Sequence, residues 1–281
     1  MKTLEENHAI GDLCEAFAVS RSGYHRWRSA EPCRRAGEDA RLTVAIKALH
    51  AQSRGTYGRP RLSAALRQRG EHCAPKRVRR LMRAAGVRGV RRGGSRPQTT
   101  DSRHRLPCAP NLLKDAAAPG VPDRVWVSDI TYIPTQEGWL YVAGVLDRCS
   151  RRVLGLAMAG RMQAGLPQAA LRQALERRGQ PRGVILHSDQ GVQYASALYQ
   201  DTLKTFGLIP SMSRRANCYD NAHMESFWGT LKAELLAGKT FATRAQARLA
   251  IFEYIETFYN RVRLHSALGF QSPVDFENQL N

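Results

Sequence analysis

Three carboxylates, each in a different local setting, are the residues of this 281-residue chain best suited to chemistry. Asp129 sits in Val125-Trp126-Val127-Ser128-Asp129-Ile130, among β-forming neighbours. Asp189 closes the apolar run Val184-Ile185-Leu186-His187-Ser188, and Glu225 lies in His223-Met224-Glu225-Ser226-Phe227-Trp228. Asp189 and Glu225 are separated by 35 residues. A carboxylate buried among β-formers is costly unless it has a partner. The end of a strand in an α/β sheet is where ligand sites form. Brought together, three such groups can hold a pair of divalent ions about 4 Å apart, and such a pair can cut and rejoin a phosphodiester backbone. Magnesium suits an all-oxygen donor set of this kind. Two Mg²⁺ ions are therefore expected on Asp129, Asp189 and Glu225, with Mn²⁺ as a substitute.

Each acid alone has an ordinary reading. Asp129 could close a hydrogen-bond network, and Glu225 could be one of many surface acids on an amphipathic helix. Asp147, Asp201 and Asp220 compete for the ligand role, although Asp147 is followed by Arg148 and looks bound to a turn. The Glu225 segment carries more information than the others. Met224, Phe227, Trp228, Leu231 and Leu235 form an apolar helical stripe. At ~100° per residue, Glu225 and Lys232 lie within about 20° of one another at its margin. One margin thus offers a metal ligand and, two turns on, a cation for a DNA strand.

The elements that must position these residues can be read from periodicity. Val125–Pro134, Trp139–Leu146 and Arg152–Ala159 read as three consecutive strands. Leu166–Arg178 reads as a helix, Gly183–His187 as a short buried strand, Tyr194–Phe206 as a helix and Leu208–Met212 as a further strand. Ala222–Leu236 and Ala245–Arg261 read as helices. That order makes a mixed α/β layer and matches an RNase H-like fold, a mixed five-stranded sheet flanked by helices, although order alone does not decide it.

Upstream, the chain is all-helical. Residues 9–28 read as a short helical pair with Ser20 as the cap of the second helix, whose Arg21, His25, Arg26 and Arg28 would face nucleic acid in a helix-turn-helix. Leu42–Ala51, a helix from Pro60 to Gly70 and a helix from Pro75 ending at Gly86 form a trihelical module. The expected division is a helix-turn-helix-like segment at 1–35, a basic helical DNA-binding module at 36–90, a basic linker at 91–122 and a catalytic domain at 123–281.

Charge supports this division. The formal net charge is +19. Residues 1–100 contribute 22 basic against 8 acidic residues, and residues 41–96 hold 16 basic residues and a single acid, Glu71. Such a stretch points to a polyanionic partner. Lys76, Arg77, Arg79, Arg80 and Arg83 on the last helix of the module, with Arg91 and Arg92 in the linker, are the expected DNA contacts. The six cysteines form no CxxC pair, which argues against a zinc site. No apolar run approaches the ~20 residues of a membrane span. A cytoplasmic protein with reduced thiols and no membrane partner is expected.

Residues 125–275 resemble the catalytic domain of DDE transposases and retroviral-type integrases. The segments carrying the likeness include Trp126–Tyr132, Gly138-Trp139-Leu140-Tyr141, His187-Ser188-Asp189, Asn217-Cys218-Tyr219-Asp220-Asn221, Met224-Glu225-Ser226-Phe227, Leu231-Lys232, Tyr259-Asn260-Arg261 and His265-Ser266-Ala267-Leu268-Gly269. More closely, the chain resembles the downstream-frame (OrfB) transposase of a bacterial insertion-sequence family encoded by two overlapping frames. Tyr57-Gly58, Pro60-Arg61-Leu62 and Val78-Arg79-Arg80-Leu81-Met82 resemble that family's helix-turn-helix module. The resemblance implies a catalytic triad at Asp129, Asp189 and Glu225 and a DNA-contacting base at Lys232. It implies metal-dependent cleavage and 3′-hydroxyl strand transfer at element ends, with DNA integration and recombination. The implied partners are double-stranded DNA at element ends and target, a homo-oligomer on that DNA, and the upstream-frame product as fusion or associate. His223 stands where relatives often carry a small residue or proline. Two other readings remain at this point: a DNA-binding regulator with a non-catalytic α/β domain, and an RNase H-like nuclease that cuts without joining.

Overall fold

The structure is a computed structural model that describes residues 2–29, 33–91, 106–114, 116–213, 221–236 and 239–280. Residues 92–105 of the expected linker, Arg92 among them, and the Asn217–Asp220 motif lie outside the described residues.

The first helical pair is α1 (Ile10–Ala16) and α2 (Arg21–Ser29). Ser20 caps α2 as its sequence position predicts, its hydroxyl accepting from the Gly23 amide at 3.0 Å. The module that follows is α3 (Arg34–Gln52), α4 (Arg59–Gln68) and α5 (Pro75–Ala84). Val78, Leu81 and Met82 of α5 pack with Leu42, Ile46 and Leu49 of α3 and Leu62 and Leu66 of α4. Gly86 takes φ +69° just past α5, a left-handed turn that stops the helix.

Five strands form one sheet in the order β3-β2-β1-β4-β5. β1 (Val125–Thr135), β2 (Gly138–Asp147) and β3 (Val153–Ala159) run as an antiparallel meander. The chain then crosses through α6 (Gly165–Arg177) to β4 (Ile185–Ser188), which pairs parallel to β1. After α7 (Val192–Ala195) and α8 (Ala197–Phe206), β5 (Ile209–Met212) pairs parallel to β4. The helix expected over Tyr194–Phe206 is thus split, because Ser196 leaves helical geometry and caps α8 by accepting from the Tyr199 amide. One face of the sheet is covered by α6 and α8.

The other face carries α9 (Ala222–Leu231), α10 (Arg244–Glu253) and the helical module in one continuous apolar cluster. The two long C-terminal helices end differently from expectation. α9 passes into a π-helical turn over Lys232–Leu236, and α10 into another over Tyr254–Tyr259. A short helix α11 (Pro273–Asn278), with Ser272 as its cap, is the last element.

The module is bolted to the core by polar bonds. The Tyr57 hydroxyl accepts from the Leu264 amide at 2.7 Å and donates to the Val262 carbonyl at 3.1 Å. Arg61 Nε donates to the Leu264 carbonyl at 2.8 Å. Beneath it, Glu234 takes both Nε and Nη2 of Arg263, at 2.8 and 2.6 Å, and the Tyr254 hydroxyl at 2.7 Å.

Candidate active site

Asp129 lies midway along β1, opposite Gly144 of β2. Asp189 immediately follows β4. The β1–β4 register pairs Val127 with His187, so continuing it by two residues sets Asp129 beside Asp189. Parallel pairing of two adjacent central strands therefore brings together two acids 60 residues apart in the chain. The Asp189 carboxylate also accepts from the Gly191 amide at 3.0 Å, closing the tight turn out of β4.

Glu225 comes from the first turn of α9. Two bonds clasp that helix to β1 on either side of the acid. Asn221, just before the helix, donates its amide to the Ser128 carbonyl at 3.1 Å. Trp228, three residues after Glu225 and so on the same face, donates its indole N–H to Asp129 Oδ2 at 3.1 Å. The close approach depends on Gly144, where a Cβ would stand 3.0 Å from the Trp228 ring and 3.3 Å from Met224.

The electrostatics follow from this packing. Burial, reinforced by the charge of Asp189 and more weakly of Glu225, pushes the Asp129 carboxyl up to about 8 against the indole hydrogen bond that favours its ionised form. Burial also raises Glu225. Lys232 is the cation on this side: its ammonium lies over the Tyr132 ring at 5.2 Å, and burial lowers its proton affinity while the Asp129 charge raises it. Tyr132 meets Trp139 edge-on at 4.8 Å, so the ring under Lys232 is one of an aromatic pair.

Among the described residues, no three His, Cys, Asp or Glu side chains converge within reach of a single ion. The donor set nevertheless suits a hard cation. It is all carboxylate oxygen, and Asp129 is burdened by like charge that a cation would relieve.

Asp147, the rival ligand, is committed elsewhere. Its Oδ1 accepts from the Cys149 and Ser150 amides and its Oδ2 from the Asp123 amide, all at 2.8 Å. Asp201 is an exposed acid beside Lys204 on α8. Of the expected DNA contacts, Lys76, Arg79 and Arg83 are exposed on α5 and Arg91 is exposed beyond it. Two of the expected contacts are already paired within the module. Arg77 donates to Asp39 at 2.7 Å and also pairs with Glu38, and Arg80 pairs with Asp39. Glu38 and Asp39 lie on the first turns of α3, ahead of the stretch the apolar pattern marks as helix, so these pairings are invisible to that pattern. Sequence reasoning also missed Trp228 and Gly144. The signal available was a tryptophan one turn from the acid and a glycine inside an apolar strand, a mark of close approach.

An RNase H-like sheet with acids at the β1 and β4 positions and on a crossing helix, preceded by a basic trihelical module, defines a protein of the integrase-core class. Residues 121–218 match the integrase core domain family, residues 225–280 match a second integrase core domain family, and residues 38–94 match an HTH-like domain. The chain is 46% identical over 267 residues to the insertion element IS600 31 kDa protein of Shigella sonnei, covering 95% of this chain and 98% of that protein. It is 41% identical over 273 residues to the InsF transposase of insertion sequence IS3A from Escherichia coli K12, covering 96% and 94%. It is 43% identical over 241 residues to the IS904 transposase of Lactococcus lactis, covering 84% and 93%. The chain belongs to this IS3-type family of insertion-sequence transposases, and is a DNA transposase of OrfB type. Among solved structures it is similar to the simian T-cell lymphotropic virus intasome in complex with PP2A regulatory subunit B56 gamma, with TM-score 0.49 and 16% identity over 83% of this chain and 74% of that one. It is also similar to the HTLV-2 integrase catalytic core domain in complex with magnesium, with TM-score 0.44 and 16% identity over 57% and 99%.

Proposed function

We propose that the chain cleaves and joins DNA strands at the ends of its insertion sequence, with Asp129, Asp189 and Glu225 as catalytic and metal-binding residues. The observation that carries this reading is the bond from Trp228 to Asp129, which ties the helix of the third acid to the strand of the first. Two Mg²⁺ ions, with Mn²⁺ able to substitute, would supply activation of the attacking oxygen and stabilisation of the leaving one. The chain's own residues do the rest. Asn221 and Trp228 fix the height of Glu225 over the sheet. Trp228 also holds Asp129 in orientation. Lys232, on the same side, is suited to the phosphate next to the reacting one, and the Tyr132–Trp139 pair offers an apolar wall beside it. Because the nucleophile is water for cleavage and a DNA 3′-hydroxyl for joining, no side chain of the protein needs to form a covalent intermediate.

Double-stranded DNA at element ends and target is the substrate. Lys76, Arg79 and Arg83, with Arg91 and Arg92, are proposed to hold its backbone. The reading extends to a homo-oligomer on DNA, to fusion or association with the upstream-frame product, and to action in the bacterial cytoplasm at the nucleoid. Among the described residues no helix is long and apolar enough to cross a membrane.

The test uses the full chain, alone and fused to the upstream frame, on labelled element ends with Mg²⁺. Asp129→Asn, Asp189→Asn and Glu225→Gln should each keep DNA binding and lose both nicking and joining by at least about a thousandfold, as expected where charge stabilisation is removed from a reacting centre. Full strand transfer by any one variant removes that residue from the triad. Cutting without a joined product would reassign the wild type as a nuclease.

A further inference from the structure

A cleft of about 500 Å³ opens on the side of α9 away from the three acids. Its polar walls from that helix are His223, Ser226 and Thr230, roughly 100–160° around the axis from Glu225. It lies at the seam between the helical module and the core: Arg61 comes from α4, Arg151 from the β2–β3 turn, and Arg263 and His265 from the segment after the second π-helical turn.

The cleft is cationic, and much of its cation is unmet. Glu234, its one acid, is taken up by Arg263 and the Tyr254 hydroxyl, with Arg61 Nη1 no nearer than 3.9 Å. Arg151 Nε is buried with no hydrogen-bond partner. Arg151 is also held at φ +62°, where its amide donates to the Asp147 carbonyl at 2.9 Å, so the turn fixes where this arginine sits. His265 bonds the Tyr259 carbonyl through its ring, and its Nε2 is buried without a partner. Unpaired buried polar groups of this kind are uncommon and call for a ligand or water. Three arginine charges face one imidazole across the cleft. Burial, with the charges of Arg263, Arg61 and Arg151, holds His265 well below its ordinary value. Burial, with Arg263, likewise lowers Arg61. An anion would relieve all of these penalties at once.

We propose that this cleft is a phosphate-binding site, held by Arg61, Arg151 and His265, distinct from the carboxylate site and bridging the helical module to the core. Guanidinium donors lining one cleft, with an imidazole whose protonated form a bound anion would stabilise, suit a phosphate's acceptor oxygens. A nucleic-acid phosphodiester and free inorganic phosphate share that chemistry. The volume exceeds what a lone phosphate needs and leaves room for part of a nucleotide.

The experiment follows the His265 ring resonance of the full chain in excess chelator, assigned by its loss in His265→Gln. The absence of metal keeps the result independent of the strand-transfer reading. Inorganic phosphate and a short single-stranded DNA oligonucleotide are titrated separately at pH 7. The expected result is a saturable shift of His265 with at least one of the two. Response to phosphate alone assigns a free anion, and response to the oligonucleotide, alone or with phosphate, assigns a DNA backbone. Arg151→Gln should weaken binding by about tenfold or more, while Arg151→Lys, which keeps the charge, should recover part of it. A melting temperature equal to wild type qualifies each variant. The proposal is overturned if neither titrant produces a saturable shift, or if folded Arg151→Gln binds as tightly as wild type.

Discussion

Asp129 is held in the folded chain with a proton that a free aspartate would have lost. Burial, the charge of Asp189 and that of Glu225 raise it to about 8, whereas the unfolded chain releases the proton near its ordinary value of about 3.9. Between those values the folded protein binds more protons than the unfolded chain. Without metal, stability therefore falls as pH rises through this interval, and the loss is complete above about pH 8. Asp129→Asn has no charge to bury, and its amide oxygen can still accept from Trp228. In excess chelator, the variant's melting temperature should exceed that of wild type by a gap that widens from pH 5 to 8 and then levels off. A gap that stays constant over this range would mean that the carboxylate is not penalised by its surroundings. This residue was legible in the sequence because an acid among Val125, Val127 and Ile130 is anomalous without a purpose. Trp228 was not, because it reads as one more member of an apolar stripe. The partner of its indole N–H exists only once the helix lies on β1.

At the scale of elements, the strands and helices of the core follow the period of their apolar residues, and the departures have tertiary causes. α3 begins eight residues before its apolar pattern, at Arg34 rather than Leu42. Its first turns are held by polar pairs, Arg34 to Glu38 and Arg77 to Asp39, instead of by burial. α9 widens at Lys232, in a turn where Lys232 lies over Tyr132 and Glu234 takes the Arg263 guanidinium. The constant helical angle that sets Glu225 and Lys232 on one margin therefore applies up to Leu231 and is loosened beyond it. No local propensity encodes such a turn, which is why the sequence alone predicts an unbroken helix to Leu236. Gly155 is a case where sequence offered only a hint. A Cβ there would lie 1.9 Å from the Ala170 carbonyl, so α6 rests directly on the backbone of β3. Gly155→Ala must push α6 outward and should cost roughly 1–3 kcal/mol or more, as overpacking does. Thermal or urea melting measures this, and an unchanged midpoint would mean that α6 does not seat on the strand this closely.

The whole molecule divides its labour by charge. Two of the acids sit on the central strands of the sheet and the third on the helix over it, the basic residues are concentrated upstream, and the seam between module and core is joined by Tyr57 and Arg61, with the buried Glu234–Arg263 pair beneath them. A module held this way keeps a fixed orientation on the core. The arginines of α5 differ in what already holds them. Asp39 is held below the usual carboxylate range by hydrogen bonds from Arg80 and Arg77, so DNA phosphates would have to displace an existing anion to engage either. Lys76, Arg79 and Arg83 have no ion pair among the described residues and project from the same helix. Every duplex phosphate that a side chain neutralises adds about 0.9 to the steepness of log affinity against log salt. Replacing Lys76, Arg79 and Arg83 with Gln should therefore flatten the slope by up to about 2.7 while leaving the melting temperature near wild type. Replacing Arg77 and Arg80 should do the reverse, loosening α5 from α3 with little change in slope. Titrations of duplex DNA across a salt series, paired with melts of both variants, separate the outcomes. Equal slope changes per replaced residue in the two variants would show that Asp39 yields its arginines to DNA and that all five basic residues form one DNA-binding surface.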